Sequence, residues 1–359
     1  MKCVVWVRTA PPDQAGSMAA YADLVQRSLA PLAADWTFAT CDLFDPRGGA
    51  SMWRHHVWRL RHARRALTAH PADLYHWLDG SMAAFIPPAL RARSVVTVHD
   101  LIPLLQARGE LPRRPSWPAR WLIQRGVTAL RECALLCADS AATKADLARL
   151  AKITARVKVV PVPLRPLPPP RPVALPGLPP GARFILHIGH NASYKNRRGV
   201  VDVFLRLRDS ADLHLVLAGP SPSPELVART NTLPMVHFVG PVDDAELHDL
   251  YRRAALFLFP SLYEGYGMPI LEAMAAGCPV VCSTAPSLLE VAGDAALSAP
   301  ATDPDALADA CRQLLSDAAL RQTMIERGRA RAAGFDIASF GNLLLKCYEQ
   351  ALTPKEPHD

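Results

Sequence analysis

The chain has 359 residues, room for two domains at about 150 residues each. Half the residues are hydrophobic and 20% are charged, which excludes global disorder and allows a packed core. The formal charge of +7 is uneven: residues 1–180 hold 24 Lys/Arg against 12 Asp/Glu, and residues 181–359 hold 16 against 21, so the basic half points to an anionic partner.

In chain order, the first predicted strand is CVVWV (3–7). Arg8 ends it, and so short an apolar run is a strand rather than a signal peptide. TFATCDLF (37–44), LYHWL (74–78), SVVTVHD (94–100), ALLCADS (134–140) and VKVVPV (157–162) follow as strands. Helical patterns fall between them, among them Met18 to Ala30 and Trp117 to Arg131. The second half repeats the rhythm with FILHIG (184–189), LHLVLAG (213–219), MVHFVG (235–240), ALFLFP (255–260) and PVVCS (279–283). Strands alternating with helices imply βαβ units and a parallel sheet, and two such series imply two doubly wound domains. Nothing in the chain offers the run of about 18 uncharged apolar residues that a bilayer span needs. The eight cysteines form no C-x-x-C pair and several lie in apolar runs, as expected of reduced, buried thiols in a cytoplasmic protein.

Residues 161–180 contain ten prolines, which forbids helix interior or central strand. As polyproline II the stretch reads as a semi-rigid spacer, with a docking ligand for another protein as the competing reading. The expected organisation is therefore an N-terminal domain over 1–165, a linker over 166–180, a second domain over 181–335 and a C-terminal segment over 336–359.

The densest chemistry lies in ALFLFPSLYEGYGMPILEAMAAGCPVVCS (255–283). A buried strand runs into a glycine loop, Glu264-Gly265-Tyr266-Gly267; Pro269 then suits the first helical turn, and Gly277 ends the helix. Glycines and a helix start let a phosphate approach backbone N–H groups. Glu264 before the loop and Glu272 within the helix suit hydroxyls, so a nucleotide-sugar fits the pattern. The alternative is a helix start with one capping acid and one surface acid.

The stretch PSLYEGYGMPILEAMAAGCPVVCS resembles the Glu-x7-Glu signature of glycosyltransferase family 4. VVTVHDLIPL, LLCADSAATKADLARL, SLLEVAGDAALSAPATDPDALADACRQLLSD and GFDIASFGNLLLKCYEQAL resemble the flanking elements, so the likeness covers nearly the whole chain. It implies an α/β protein of GT-B fold, two Rossmann-like doubly wound parallel-sheet domains facing a central cleft, with the second domain binding the nucleotide-sugar. The activity implied is retaining, metal-independent transfer of a hexose, mannose among the candidates, from a GDP- or UDP-sugar to a saccharide or lipid-linked acceptor. Bacterial O-antigen and exopolysaccharide transferases are the members it looks most like, and the C-terminal segment is expected to cross back to the N-domain.

By the same resemblance, Glu264 contacts the transferred sugar beside Gly265, Tyr266 and Gly267, Glu272 holds the ribose hydroxyls, and Lys195 meets the diphosphate. His99 is implied near the sugar, Gly16 in the phosphate-facing turn of the N-domain, and Val242 near the base. Where relatives carry Arg after the strand glycine or before the lysine, this chain has His190 and Tyr194; either His190 or an arginine from elsewhere supplies the second cation. The mechanism implied is front-face, because no carboxylate is a candidate for the opposite face of the sugar.

No cofactor and no metal are expected: the only D-x-D, Asp303-Pro304-Asp305, opens a helix and reads as a cap. Residues 53–67 and 113–125 combine Trp with many Arg, which suits either an anionic membrane surface, placing the protein on the inner face of the membrane, or a solvated face. No nucleic-acid motif is present. An epimerase of the same fold and a degenerate nucleotide-sugar-binding protein remain the alternatives.

Overall fold

The computed structural model describes residues 1–9, 17–32, 34–45, 52–207 and 212–353. The β-branched and aromatic runs become strands because both faces of a parallel sheet are covered, and a continuous apolar run satisfies both. The chain divides into two units, 1–163 with 336–359, and 164–335.

In the first unit the strands are β1 (Lys2–Arg8), β2 (Trp36–Asp42), β3 (Leu74–Trp77), β4 (Ser94–Val98), β5 (Leu135–Ala138) and β6 (Val157–Val159). They pair in parallel in the order β2-β1-β3-β4-β5-β6. Helix Ile337–Leu352 belongs to this unit: its Tyr348 hydroxyl accepts from Trp6 Nε1 at 3.2 Å and pairs with His76 Nδ1 at 2.7 Å. His76 is fully buried, and that burial pushes its pKa down to about 3. A neutral ring is the form that can accept from one hydroxyl and donate to another.

The second unit holds β7 (Arg183–Ile188), β8 (Leu213–Ala218), β9 (Val236–Val239), β10 (Leu256–Phe259), β11 (Val280–Ser283) and β12 (Ala296–Ala299). The parallel order is β12-β11-β10-β7-β8-β9, so strand order reverses between β7 and β10. Ile185, Phe204, Leu215, Leu258, Val281 and Leu307 pack in one core between sheet and helices. In an open α/β sheet a ligand crevice forms at the carboxyl ends of the two strands flanking such a reversal. Loops after β7 and β10 are therefore the ones to inspect.

The proline-rich stretch is a strap on the second unit, which corrects its reading as a spacer. Arg171 N–H donates to Ala245 O at 3.0 Å, Val173 N–H to Asp249 Oδ2 at 3.2 Å, and Arg253 to Val173 O at 3.1 Å. His248 Nδ1 lies 2.6 Å from Pro168 O, and His237 Nδ1 3.2 Å from Pro176 O. Half of its residues are prolines without an N–H, so few donors need partners, and its carbonyls are held by side chains of helix Asp244–Arg253 and of β9.

Candidate active site

Glu264 and Lys195 meet at the reversal. After β7 the chain makes a short turn, Ser193–Lys195, ended by Asn196 in the left-handed region at φ 55°. Asn196 fixes that turn: its amide donates to Pro260 O at 3.0 Å and Ala301 O at 3.1 Å, and its Oδ1 accepts from Gly199 N–H at 3.1 Å, capping helix Arg197–Leu205. Leu262 N–H donates to Tyr194 O at 2.7 Å, a second tie between the two loops. The Lys195 ammonium consequently lies 2.8 and 2.9 Å from the two Glu264 carboxylate oxygens. Both side chains are largely buried, at 15% and 10% exposure, and the ammonium sits 5.3 Å over the Phe259 ring. Among the described residues the two Glu264 oxygens engage two of the three ammonium N–H donors.

The loop after Glu264 is held rigidly. Ser287 Oγ donates to Glu264 O at 2.7 Å, and Gly265, Tyr266 and Gly267 are buried. The Tyr266 ring packs edge-on to Phe335 at 6.4 Å. Gly267 has φ 125°, and a Cβ there would come within 2.7 Å of Leu288 Cδ2. It is the N-cap of helix Met268–Ala275, whose first turn has no side-chain cap and carries Pro269. A helix start without a capping side chain presents its positive dipole end beside the Lys195–Glu264 pair.

Glu272, inside that helix, is buried at 8% exposure. Tyr251 Oη donates to its Oε2 at 3.4 Å, and Arg165 Nη2 lies 3.6 Å from Oε1. Burial raises its pKa, with Asp244 adding to the rise and Arg165 and Tyr251 opposing it.

His190 is exposed; its Nδ1 accepts from Ala192 N–H at 3.2 Å and its Nε2 pairs with Tyr194 Oη at 3.2 Å. Partial desolvation, and next the Lys195 ammonium, lower its pKa, so at neutral pH the ring is uncharged and serves as a hydrogen-bonding group rather than a second cation. A cation that does lie beside the loop is Arg197. Its guanidinium is buried, with Nη1 donating to Asn191 Oδ1 at 2.6 Å and Pro220 O at 3.1 Å, and with Nε and Nη2 unpartnered among the described residues. Val242 is half-buried in the loop after β9, two strands from β7, about 10 Å away at ordinary strand spacing.

In the first unit, His99 follows β4. Its Nδ1 lies 2.6 Å from Asp139 Oδ2 and its Nε2 2.9 Å from Leu78 O. Desolvation alone would lower its pKa, but the Asp139 carboxylate outweighs it and the result is about 9. His99 is therefore an imidazolium donating from both nitrogens. Both ring nitrogens are engaged within the first unit, so what His99 offers is fixed positive charge. Gly16 lies outside the described residues. Asp303 accepts from Ala306 N–H at 3.0 Å as the N-cap of helix Pro304–Ser316.

Sequence reading missed Asn196, Arg165, Tyr251 and Ser287. Only Asn196 left a local signal, an Asn immediately before a helical run; the others act across long sequence separations.

Two six-stranded parallel sheets, each doubly wound in its own unit, are the architecture of the GT-B class of α/β proteins. Residues 43–165 match the family model described as Glycosyltransferase Family 4, and residues 175–331 the model described as Glycosyl transferases group 1. The chain is 38% identical over 159 residues to the O-antigen chain mannosyltransferase B of Escherichia coli, covering 42% of each. It spans less than half the length of the curated relatives it matches. The fold is similar to sucrose-phosphate synthase from Thermosynechococcus elongatus (TM-score 0.77, 20% identity, 98% of this chain and 99% of that one). It is also similar to Anabaena Alr3699/HepE solved with UDP and glucose (TM-score 0.72, 15% identity, 96% and 99%). The chain belongs to glycosyltransferase family 4 and has the GT-B fold.

Proposed function

We propose that this protein is a metal-independent, retaining glycosyltransferase that moves a hexose from a GDP- or UDP-sugar to a saccharide or lipid-linked acceptor. The observation that carries the reading is the buried Lys195–Glu264 pair at the strand reversal, 2.8 Å apart beside an uncapped helix start. The diphosphate is drawn by the Lys195 ammonium and the dipole end of helix Met268–Ala275. Glu264 accepts from hydroxyls of the sugar and Glu272 from the ribose. As the bond from sugar C1 to phosphate oxygen breaks, the acceptor oxygen bonds to C1 on the same face and its proton passes to the leaving phosphate. A preorganised ammonium facing the growing charge is worth about 3 kcal/mol in the transition state. The mannosyltransferase relative supports mannose as the hexose, and the UDP-bound neighbour supports a nucleoside diphosphate carrier. Cell-surface polysaccharide assembly is the setting these relatives suggest.

Incubation with GDP-mannose and UDP-glucose, each with chromatographic detection of the nucleoside diphosphate released, tests the reading. Slow release from at least one donor, accelerated by saccharide acceptors, supports it; release from neither contradicts it.

The same proposal places the first unit on an anionic membrane surface. Trp53, Val57 and Leu60 form an exposed stripe on helix Met52–Thr68, flanked by exposed Arg54, Arg61, Arg64 and Arg65. Arg59 is not part of this face, being buried and donating to Thr9 O and Leu43 O; Leu67 likewise turns into the core. Trp117 and Trp121, with Arg108, Arg120, Arg131 and Lys152, line a groove of about 620 Å³. No helix among the described residues is long and apolar enough to cross a membrane. Sedimentation with phosphatidylglycerol vesicles but not with phosphatidylcholine vesicles is expected; equal partition would remove the membrane from the proposal.

A further inference from the structure

We propose that Arg165 and Tyr251 are positioning residues for the donor, aiming the Glu272 carboxylate at the ribose diol, so that the proline-rich strap is part of the donor site. The inference rests on the nucleotide-sugar reading above. Arg165 is the second residue of the second unit, and the strap sets its place: Leu164 N–H donates to Phe335 O at 2.9 Å, and the anchors on helix Asp244–Arg253 hold the segment that follows. Its guanidinium is oriented from one side by Asp244, with Nη1 3.0 Å from Oδ2, and reaches Glu272 Oε1 from the other. Tyr251, fully buried, fixes Oε2.

The cluster is under-satisfied in a specific way. A carboxylate offers about four lone-pair sites, and its charge-assisted hydrogen bonds are ordinarily 2.7–2.9 Å. Among the described residues Glu272 has two side-chain partners, at 3.4 and 3.6 Å, and shares the Arg165 guanidinium with Asp244. A 10% exposed carboxylate held from behind at this range keeps accepting capacity for hydroxyl donors. Two carboxylates against one guanidinium also disfavour an anion at this point, so the ligand group is a diol rather than a phosphate.

The test compares GDP, UDP and their 2′-deoxy counterparts by calorimetry on wild type, Arg165→Met, Arg165→Lys and Tyr251→Phe, together with steady-state kinetics on the matching sugar donor. Wild type should prefer the ribonucleotide by about 10-fold or more, the cost of leaving a buried acceptor unpaired. Arg165→Met and Tyr251→Phe should each cut that preference to about 3-fold or less and raise donor KM about 10-fold, with kcat changed by less than about 3-fold. Arg165→Lys should restore part of the preference. Tyr251→Phe keeps the shape of the buried ring and guards against simple misfolding. Variants that keep the full ribose preference, or lose ribo- and deoxynucleotide affinity equally, would overturn the inference. If wild type binds neither GDP nor UDP, the underlying reading of the site falls and this inference with it.

Discussion

Lys195 and Glu264, 69 residues apart in sequence, form a two-pronged ion pair with Nζ 2.8 and 2.9 Å from the two carboxylate oxygens. The pair neutralises itself in the ligand-free protein, so the site can be buried without an uncompensated charge. Either substitution alone leaves the other charge buried.

Lys195→Ala and Glu264→Ala should therefore each lower stability by about 3 kcal/mol in urea unfolding, and the double variant should recover part of that loss. Each single change should also lower turnover by about 10²-fold or more, because in the proposed reaction both side chains face the transition state. Additive stability losses in the double variant would show that the two side chains do not interact.

The His99–Asp139 pair gives a pH signature. Because the folded pKa of about 9 lies above the ordinary value of 6.5, its stabilisation is fully present below pH 6.5 and fades as pH rises through about 9. Asp139→Asn should cost about 3 kcal/mol at pH 6 and much less at pH 10, read from unfolding curves at both values. A pH-independent penalty would argue against a charged His99.

Thiol chemistry follows from burial. Burial drives the pKa of Cys41 up to about 11 and those of Cys133, Cys282 and Cys311 to about 12, whereas Cys3 is the one cysteine not fully buried. Native protein should show one thiol reacting rapidly with a disulfide reagent, and all eight after denaturation.

Gly267→Ala should destabilise by about 2 kcal/mol and slow turnover, because φ 125° is strained for any L side chain and the new methyl meets Leu288. A circular dichroism melt and a donor-turnover assay on the same preparation would measure both effects.

Much of this arrangement is legible in the residues themselves. Runs such as VVWV and LFLF are readable because strands covered on both faces are apolar throughout. The Glu-x7-Glu block is readable because glycine, proline and acid fall in one short segment. β12 is not: ALSA has no β-branched residue and becomes a strand only through pairing with β11. The strap misleads for a similar reason, since proline content excludes helix and central strand but does not say whether the extended chain is free or bound. Arg165 is hidden there, and nothing local distinguishes it from Arg171, which pairs with Asp243 and Glu246. His99 shows the opposite limit: its place after a strand is readable, but the partners Asp139 and Leu78 that occupy both nitrogens come from other strands' ends.

The central claim is that a nucleoside diphosphate sugar lies across the β7–β10 reversal. A crystal structure of the protein with its donor tests it most directly: the account predicts diphosphate oxygens within hydrogen-bonding distance of Lys195 Nζ and ribose hydroxyls on Glu272. Density for the nucleotide elsewhere, with the Lys195–Glu264 pair and Glu272 untouched, would contradict it.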